Sequence, residues 1–221
     1  VQQLRDQPSM EGQNLVSEVS VTDSYVVKAV TNKRFKVAVI DCGIKQNILR
    51  IFSQLNCECH VLPYTTTVDD IKRLEPDGVF ISNGPGDPAA VTEVIKTLKS
   101  LMNYRPTFGI CLGHQLISLA LGAQTFKLPF GHHGANHPIL DQSTGQVCVT
   151  SQNHGFCVDE ASLKSCDVDV THVNLNDATV AGIQHRSLPV FSVQYHPEAA
   201  PCPTDSFYLF DRFLALMEAR A

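Results

Sequence analysis

Hydrophobic and polar positions follow two alternating patterns from residue 35 onward. Short continuous apolar runs, typical of strands that are buried on both faces, alternate with stretches that carry apolar residues at helical spacing. The first run is FKVAVID at 35–41. Apolar residues then recur at helical spacing and predict a helix over residues 45–55; they are Ile44, Ile48, Leu49, Phe52 and Leu55. This alternation predicts an α/β fold, with an open, mostly parallel twisted sheet and helices on both faces.

The same alternation continues to residue 122. CHVLP and GVFIS predict further strands, residues 67–74 and 89–102 predict helices, and PTFGI predicts the strand that leads into a cysteine. We expect the helix after that cysteine to bury its apolar face, which consists of Leu116, Leu119, Ala120 and Leu121.

Beyond Gly122 the apolar runs become shorter and are separated by Gly, Asn and Asp. QTFKLPF, QVCVTSQNHGF and VFSVQYH predict β-hairpins added to the sheet. We expect a last helix that is capped by Thr204 or Asp205. Its inward face comprises Phe207, Phe210, Phe213, Leu214 and Met217.

Composition and charge narrow the class of protein. The chain has 221 residues, of which 43% are hydrophobic, and this suffices for one domain core. Its net charge of -5 gives no basic surface for nucleic acid or anionic membranes. No apolar run approaches the roughly 20 residues of a membrane span. We therefore expect a soluble protein with reduced cysteines, located in the cytoplasm or in an organelle matrix.

Cys111 stands in the sequence Gly109-Ile110-Cys111-Leu112-Gly113, at the junction of a predicted strand and a predicted helix. The same arrangement with serine forms a tight turn that exposes a nucleophile, because the glycines let chain segments approach closely. The N-terminus of the following helix favours a thiolate. An arbitrary cysteine in such a turn is more often a buried structural residue, but the flanking glycines argue against that interpretation here. A nucleophile also needs a base and an oxyanion site.

Three histidines compete for the role of base. His196 is followed by Pro197 and Glu198, and the proline favours extended geometry that places the imidazole and the carboxylate on one side. This gives a nucleophile, a base and an orienting carboxylate. His114 lies on the helix of the cysteine and is expected to fix the turn, while His154 fits ligand binding or loop structure equally well.

Two groups of residues raise the question of a metal. Cys57, Cys59 and His60 lack the spacing of a zinc site, and no second CxxC pair exists. For His132, His133 and His137 we expect a structural loop without metal, because no cysteine or carboxylate completes a ligand set in the sequence.

Four stretches, GICLGHQ, SNGPGDP, TSQNHGF and VQYHPE, resemble the class I glutamine amidotransferases, and the resemblance runs from about residue 35 to the end of the chain. Two more, DCGIKQNILR and FGHHGANHP, resemble the glutamine-hydrolysing small subunit of carbamoyl phosphate synthetases or the equivalent fused domain. The resemblance implies residues 35–221 as the amidotransferase domain and residues 1–34 as a polar remnant or linker from a missing N-terminal domain.

The resemblance also implies a role for each matching residue. Cys111 would attack the side-chain amide of glutamine, His196 would carry the proton and Glu198 would hold His196. The backbone amides of Leu112 and Gly86 would bind the oxyanion. The residues implied in substrate binding are Gly84, Gly86, Leu112, Gln115, Asn153, Gly155 and Phe156.

The implied reaction yields glutamate and ammonia through a cysteinyl thioester, and the ammonia supplies carbamoyl phosphate synthesis for arginine or pyrimidines. The implied partner is a synthetase large subunit or fused synthetase domain. This domain would hold no cofactor, since ATP, Mg²⁺ and bicarbonate would bind to the partner. We expect residues 83–88 and 151–156 to be loops that no helix or strand fixes directly, and that a docking partner orders.

Three alternatives stay open from the residues alone. The chain fits the glutaminase domain of another class I amidotransferase, and it fits a non-catalytic module of the same fold. The presence of Cys111, His196 and Glu198 argues against the non-catalytic module. A peptidase or a thiol stress protein with a cysteine turn is the third, and such proteins are not expected to combine SNGPGDP with the HPE triplet.

Overall fold

Five parallel strands form the centre of a ten-stranded sheet in the computed structural model, which describes residues 8–199 and 205–220. They lie side by side in the order β3, β2, β4, β5, β10. Every residue of β4, β5 and β10 is buried, as the continuous apolar runs predict. Their bounds are β2 (Phe35–Asp41), β3 (Cys57–Pro63), β4 (Gly78–Ile81), β5 (Thr107–Ile110) and β10 (Val190–Val193).

Antiparallel strands extend this centre on both sides. β1 (Tyr25–Val27) pairs with β3 at one edge. Beyond β10 follow β9 (Val180–His185), β8 (Val168–Asn174), β6 (Thr125–Asp141) and β7 (Val147–Val158), in that order. The α/β fold class is confirmed, and the sheet is mixed, with its parallel strands in the middle.

Helices cover both faces of the sheet, as predicted. α2 (Gln46–Gln54) and α7 (Tyr208–Glu218) pack on the face that carries Val37 and Val39. The opposite face carries Ala38 and Ile40 and is covered by three helices, since successive strand residues point to opposite faces. These helices are α3 (Val68–Arg73), α4 (Thr92–Leu101) and α5 (Leu112–Ala120); two short helices are α1 (Val16–Val19) and α6 (Glu160–Leu163).

The second half of the chain differs most from the sequence prediction. The runs QTFKLPF and QVCVTSQNHGF belong to β6 and β7, of 17 and 12 residues, which pair as one long hairpin. The run VFSVQYH was expected to form an added hairpin. Its first four residues instead form β10, which lies in the sheet centre, parallel to β5 and antiparallel to β9. Residues 151–156, expected as a loop, lie within β7, and FGHHGANHP lies within β6, where the pairing shifts register twice.

Three helix predictions need correction. Residues 89–102 form a 3₁₀ turn at Pro88–Ala90 followed by α4, rather than one helix. In α5 the first seven residues are all buried, whereas Leu119, Ala120 and Leu121 are only half-buried. α7 begins at Tyr208 without a side-chain cap, so Asp205 does not cap it, and Phe207 is partly exposed instead of inward. Thr204 lies outside the described residues.

The segment before residue 35 packs against the domain over its described part. Val16 is fully buried in the core and β1 adds a strand to the sheet. The boundary at residue 35 and the origin of the preceding segment stay predictions. Within the described ranges, no helix has the length and apolar character that a membrane crossing requires.

Candidate active site

Cys111 stands alone between the end of β5 and the start of α5. Its backbone has φ 56° and ψ −105°, which is strained for a residue with a side chain. A Cβ at Gly109 would lie 2.6 Å from the Ile117 side chain, and one at Gly113 would lie 2.3 Å from the Ile81 carbonyl oxygen. Both glycines are therefore required by close approach, and the tight turn predicted from the sequence is present.

The Cys111 backbone is tied to the neighbouring parallel strand, because its amide donates a 2.9 Å hydrogen bond to the Val193 carbonyl. The side chain is almost completely buried. Its Sγ lies 3.8 Å from Gln194 Nε2 and 3.9 Å from the Asn153 carbonyl oxygen. The sheet therefore fixes the sulfur at the C-terminal ends of β5 and β10, where open α/β sheets place their ligands.

His196 and Glu198 are paired beside the sulfur, as predicted, although the local backbone differs from the prediction. β10 ends at Val193, and a hydrogen bond from the Ala199 amide to the His196 carbonyl closes a turn instead of an extended run. His196 Nδ1 lies 2.8 Å from Glu198 Oε1. The His196 amide donates to the Ser151 carbonyl, so β7 also holds this residue.

The surroundings of His196 favour its charged form. Burial alone lowers the pKa of the imidazole, but the charge and hydrogen bonding of Cys111 and Glu198 outweigh burial and raise the pKa to about 10. Burial raises the pKa of the Glu198 carboxyl, and the hydrogen bond and charge of His196 bring it below its ordinary value. The His196 imidazolium and the Glu198 carboxylate thus form a charged pair at neutral pH, in which Nδ1–H donates to Glu198.

Lys45 is a fourth member of this group that the sequence did not reveal. Its Nζ lies 3.3 Å from Glu198 Oε1 and 3.2 Å from His196 Nδ1. Because Nδ1–H already donates to the carboxylate, the ammonium acts as a partner of Glu198. Lys45 lies inside the quoted stretch DCGIKQNILR, just before α2, but nothing in its spacing pointed to residues about 150 positions away.

A cavity of about 480 Å³ opens in front of the sulfur. It contains most of the residues that the sequence assigned to the site. Glu198 is absent from the lining because it is buried behind His196, and Leu112 is predicted to act through its backbone amide at the start of α5. The predicted residues that line the cavity are Gly84, Gly86, Cys111, Gln115, Asn153, Gly155, Phe156 and His196.

Gln115 connects the walls of this cavity. Its side-chain Nε2 donates to the Phe156 carbonyl at 2.7 Å and to Gln194 Oε1 at 3.0 Å. Gln194 in turn contacts the Cys111 sulfur. The helix of the nucleophile, the residue that follows β10, and β7 are therefore held together at the cavity. The sequence analysis missed Gln194. It also missed Lys127 and Met10, which line the cavity.

The two rejected histidines have different surroundings from His196. His114 is fully buried and its Nδ1 lies 2.9 Å from Ser192 Oγ, so it fastens α5 to β10. His154 lines the cavity, and its Nδ1 lies 2.8 Å from the Phe156 carbonyl oxygen, to which it donates. Burial lowers the pKa of both histidines to about 3, so both are neutral.

The histidine-rich stretch does have a cysteine and a carboxylate beside it, contrary to the expectation from the sequence. The fold brings Cys157 and Asp177 to this region, and ligand atoms of His132, His154 and Cys157 lie within 4.8 Å of one another. However, Cys157 faces His154 Nδ1 at 3.9 Å, while His132 faces Nε2 at 3.2 Å. A single ion bound by all three side chains would require the His154 ring to turn, because Cys157 and His132 face different nitrogens of it. The absence of a metal stays a prediction.

Comparison with known proteins gives one family. The family model described as "Glutamine amidotransferase class-I" matches residues 38–216. A solved glutamine amidotransferase from Thermotoga maritima has a TM-score of 0.58 at 13% identity, over 84% of this chain and 83% of its own. A solved protein from Thermoplasma acidophilum, described as belonging to a GMP synthase, has a TM-score of 0.72 at 18% identity, over 86% of this chain and 97% of its own.

Curated relatives are about 50% identical to the chain over the aligned residues. A carbamoyl phosphate synthase small chain from Synechococcus sp. is 53% identical, over 96% of this chain and 57% of its own length. One from Staphylococcus saprophyticus is 50% identical, over 92% and 55%. A pyrimidine-specific small chain from Halalkalibacterium halodurans is also 50% identical, over 99% and 59%. The chain thus spans little more than half of these relatives.

Proposed function

This chain belongs to the class I glutamine amidotransferase family, and from that premise we propose that it hydrolyses glutamine to glutamate and ammonia for carbamoyl phosphate synthesis. The observation that carries the proposal is the strained Cys111 turn, whose sulfur lies beside a His196 paired with Glu198 at 2.8 Å. The names of the curated relatives support the carbamoyl phosphate assignment.

The reaction begins with the Cys111 sulfur in its thiolate form, next to the His196 imidazolium. The sulfur attacks the side-chain amide carbon of glutamine, and the electron pair of the carbonyl moves onto its oxygen. The amides of Leu112 and Gly86 would hold this oxyanion; no hydrogen bond ties up the Gly86 amide within the described residues. His196 then gives its proton to the nitrogen, and ammonia leaves.

The resulting glutamyl thioester is hydrolysed in the second half. Neutral His196 takes a proton from water, the hydroxide attacks the thioester carbon, and the C–S bond breaks to release glutamate and the thiolate. Glu198 keeps Nδ1–H donating, which leaves Nε2 to work on the substrate side. The walls formed by Gln115, Asn153 and Phe156 would hold the amino-acid end of glutamine.

Glutamate release from glutamine tests the proposal. Cys111→Ala should abolish it while the fold persists, because the variant removes one sulfur atom from a turn. Cys148→Ala is the control, since Cys148 lies in β7 outside the cavity lining and should stay within a few-fold of the unmodified chain. Substantial glutamate release by a verified Cys111→Ala protein would overturn the assignment.

We also propose that a synthetase large subunit, or a fused synthetase domain, receives the ammonia. Of the two segments expected as loops, residues 83–87 lack a helix or strand, whereas residues 151–156 belong to β7. A docked partner would select the productive arrangement of this loop, and a tenfold rise in turnover corresponds to about 1.4 kcal/mol of coupling. Equal rates at saturating glutamine with and without the partner would contradict this part.

A further inference from the structure

Residues 10–21, which we call the strap, run from the mouth of the cavity to the core. Met10 lines the cavity at one end. Towards the other end Val16 is fully buried, and the Val21 amide donates to Asp41 Oδ2 at 2.9 Å. Asp41 is the last residue of β2, so the strap is anchored to the sheet on which the active site is built.

The strap lies against the glycine loop, residues 83–87, and bonds to its last residue. The Gly12 amide donates to Asp87 Oδ2 at 2.8 Å, and the Asp87 amide donates to the Gln13 carbonyl at 3.0 Å. The other carboxylate oxygen of Asp87 accepts from the Ala89 amide at 2.9 Å and starts the 3₁₀ turn. One side chain therefore joins the strap, the loop and the following turn.

The contact between strap and loop is too close for any side chain at Gly86. A Cβ there would lie 2.7 Å from the Gln13 carbonyl oxygen and 3.0 Å from the Leu15 amide nitrogen. Gly86 also has φ +91°, and it lines the cavity with its other side. The strap thus forms the back wall of the segment that carries the proposed oxyanion donor.

The two ends of the glycine loop are held in different ways. At its start, Asn83 accepts from the Lys45 amide at 3.1 Å and donates to the Gly43 carbonyl at 3.0 Å. At its end, Asp87 is held by the strap. An oxyanion site is effective because its donors are fixed before charge develops, and a loop without secondary structure needs outside anchors for that.

We infer that the strap positions the oxyanion-binding glycine loop, and that Asp87 is the positioning residue through which it does so. The inference rests on the proposed glutaminase function. It assigns to the segment before residue 35 a part in transition-state stabilisation, in addition to its packing. Loosening the strap should lower kcat and the affinity for tetrahedral adducts, and should leave the binding of ground-state ligands unchanged.

The chain offers a matched pair of glycines for the test. Gly12 and Gly145 have φ +78° and +73°, and an added Cβ meets nothing within 4 Å at either position. Alanine therefore introduces similar backbone strain at both sites, in the strap in one case and in the β6–β7 turn in the other. Gly12→Ala should lower kcat about tenfold, a fraction of the effect of losing a whole oxyanion donor, and Gly145→Ala should not change it.

A second pair tests Asp87 itself. Asp87→Ala removes the bond to the strap and a cap on the Ala89 amide, whereas Asp159→Ala removes only an equivalent cap on the Ala161 amide, at the start of α6. Asp87→Ala should reduce kcat at least as much as Gly12→Ala does. Asp159→Ala should leave kcat unchanged, because Asp159 touches neither strap nor cavity.

The decisive readout is the affinity for the γ-aldehyde analogue of glutamine, compared with that for glutamate. The Cys111 thiolate forms a C–S bond to the aldehyde carbon, and the carbonyl electron pair moves to the oxygen, which the loop must then hold. We expect both strap variants to bind the aldehyde about tenfold more weakly and glutamate with unchanged affinity, since only the adduct needs the oxyanion donors.

Each outcome decides the inference. If the unmodified chain releases glutamate but Gly12→Ala and Asp87→Ala match their controls, the strap only packs against the domain. The inference then fails, while the proposed glutaminase function stands. Equal losses in aldehyde and glutamate affinity would also overturn it, because they indicate general disruption of the cavity. If the unmodified chain releases no glutamate under conditions where it is folded, the proposed function fails and the inference falls with it.

Discussion

Two histidines line the same cavity at the same depth and yet carry opposite protonation states. His196 is 5% exposed and His154 is 6% exposed. The pKa of His196 is raised to about 10, whereas that of His154 is lowered to about 3. Burial disfavours the charged form at both sites, so it cannot explain the difference.

The partners of the two rings explain it. His196 lies between the Cys111 sulfur and the Glu198 carboxylate, which both gain from a positive charge between them. His154 has no carboxylate among its hydrogen-bond partners, which are the Phe156 carbonyl at Nδ1 and the Gln152 side chain and the His132 ring at Nε2, and the neighbouring histidines lower its pKa further. The comparison shows that the base at this site is defined by its charged neighbours.

The largest expected effect comes from removing the two rings in turn. His196→Asn should lower kcat about 10³-fold or more, because nucleophile and base act as a unit. His154→Asn should mainly raise KM, since this ring supports the cavity wall through Phe156. Steady-state glutamate formation measures both, and similar losses of turnover in the two variants would show that the base is wrongly assigned.

Glu198→Gln sharpens the comparison by removing one charged neighbour of His196. The side chain keeps its shape, but the hydrogen bond and charge that help to raise the pKa of His196 are weakened. We expect roughly a 10- to 100-fold loss in kcat, smaller than for His196→Asn, because the Cys111 sulfur still favours the imidazolium. A loss as large as that of His196→Asn would mean that the carboxylate does more than orient and stabilise the ring.

Buried neutral histidines should also appear in the pH dependence of stability. His114 has a folded pKa of about 3 against an ordinary value of 6.5, so the unfolded chain binds more protons between these values. The free energy of unfolding should therefore fall as pH is lowered from 6.5, by about 1.4 kcal/mol per pH unit for one such group.

His114→Gln should reduce this slope by one proton, measured by urea denaturation between pH 5 and 7.5 (about the range in which only histidines titrate). Ser192→Ala is the control, since it breaks the same 2.9 Å hydrogen bond without removing a titrating group. It should lower stability and leave the slope unchanged. Identical slopes for His114→Gln and the unmodified chain would contradict the neutral assignment.

The smallest effect is expected from metal chelation. His154 and His132 form a hydrogen-bonded pair, and the proposed nucleophile needs no ion. Glutaminase activity should be unchanged after treatment with a chelator and gel filtration. Stoichiometric zinc that is lost from the purified protein together with activity would contradict this prediction. It would indicate that these histidines bind a metal ion.

The sequence predicted the cysteine turn and the His196–Glu198 pair because both depend on local geometry. Gly109 and Gly113 flank the nucleophile within five residues, and the base and its carboxylate are two residues apart. Family resemblance supplied the residues of the cavity wall, such as Gln115 and Asn153, which the structure places around one cavity. Their catalytic and binding roles stay predictions.

What the sequence did not predict depends on long-range placement. Lys45 meets Glu198 across the sheet, and Asp177 reaches His132 from a turn between β8 and β9. The role of the strap could not be predicted from apolar periodicity. The strap buries one valine, and its contacts with the glycine loop are made by backbone groups. In the antiparallel half, β6 carries many exposed residues and two register shifts, so its 17 residues show no regular alternation.

The central claim is that His196 is protonated at neutral pH beside Cys111 and Glu198 while His154 stays neutral, and nitrogen NMR of ¹⁵N-histidine-labelled protein tests it most directly. At pH 8, about two units below the pKa of His196, both ring nitrogens of His196 should be protonated, and His154 should carry a proton on one nitrogen only. The His196→Asn and His154→Asn variants assign the signals, and Cys111→Ala should lower the pKa of His196. A His196 ring that is neutral at pH 8 and is unaffected by Cys111→Ala would contradict the account.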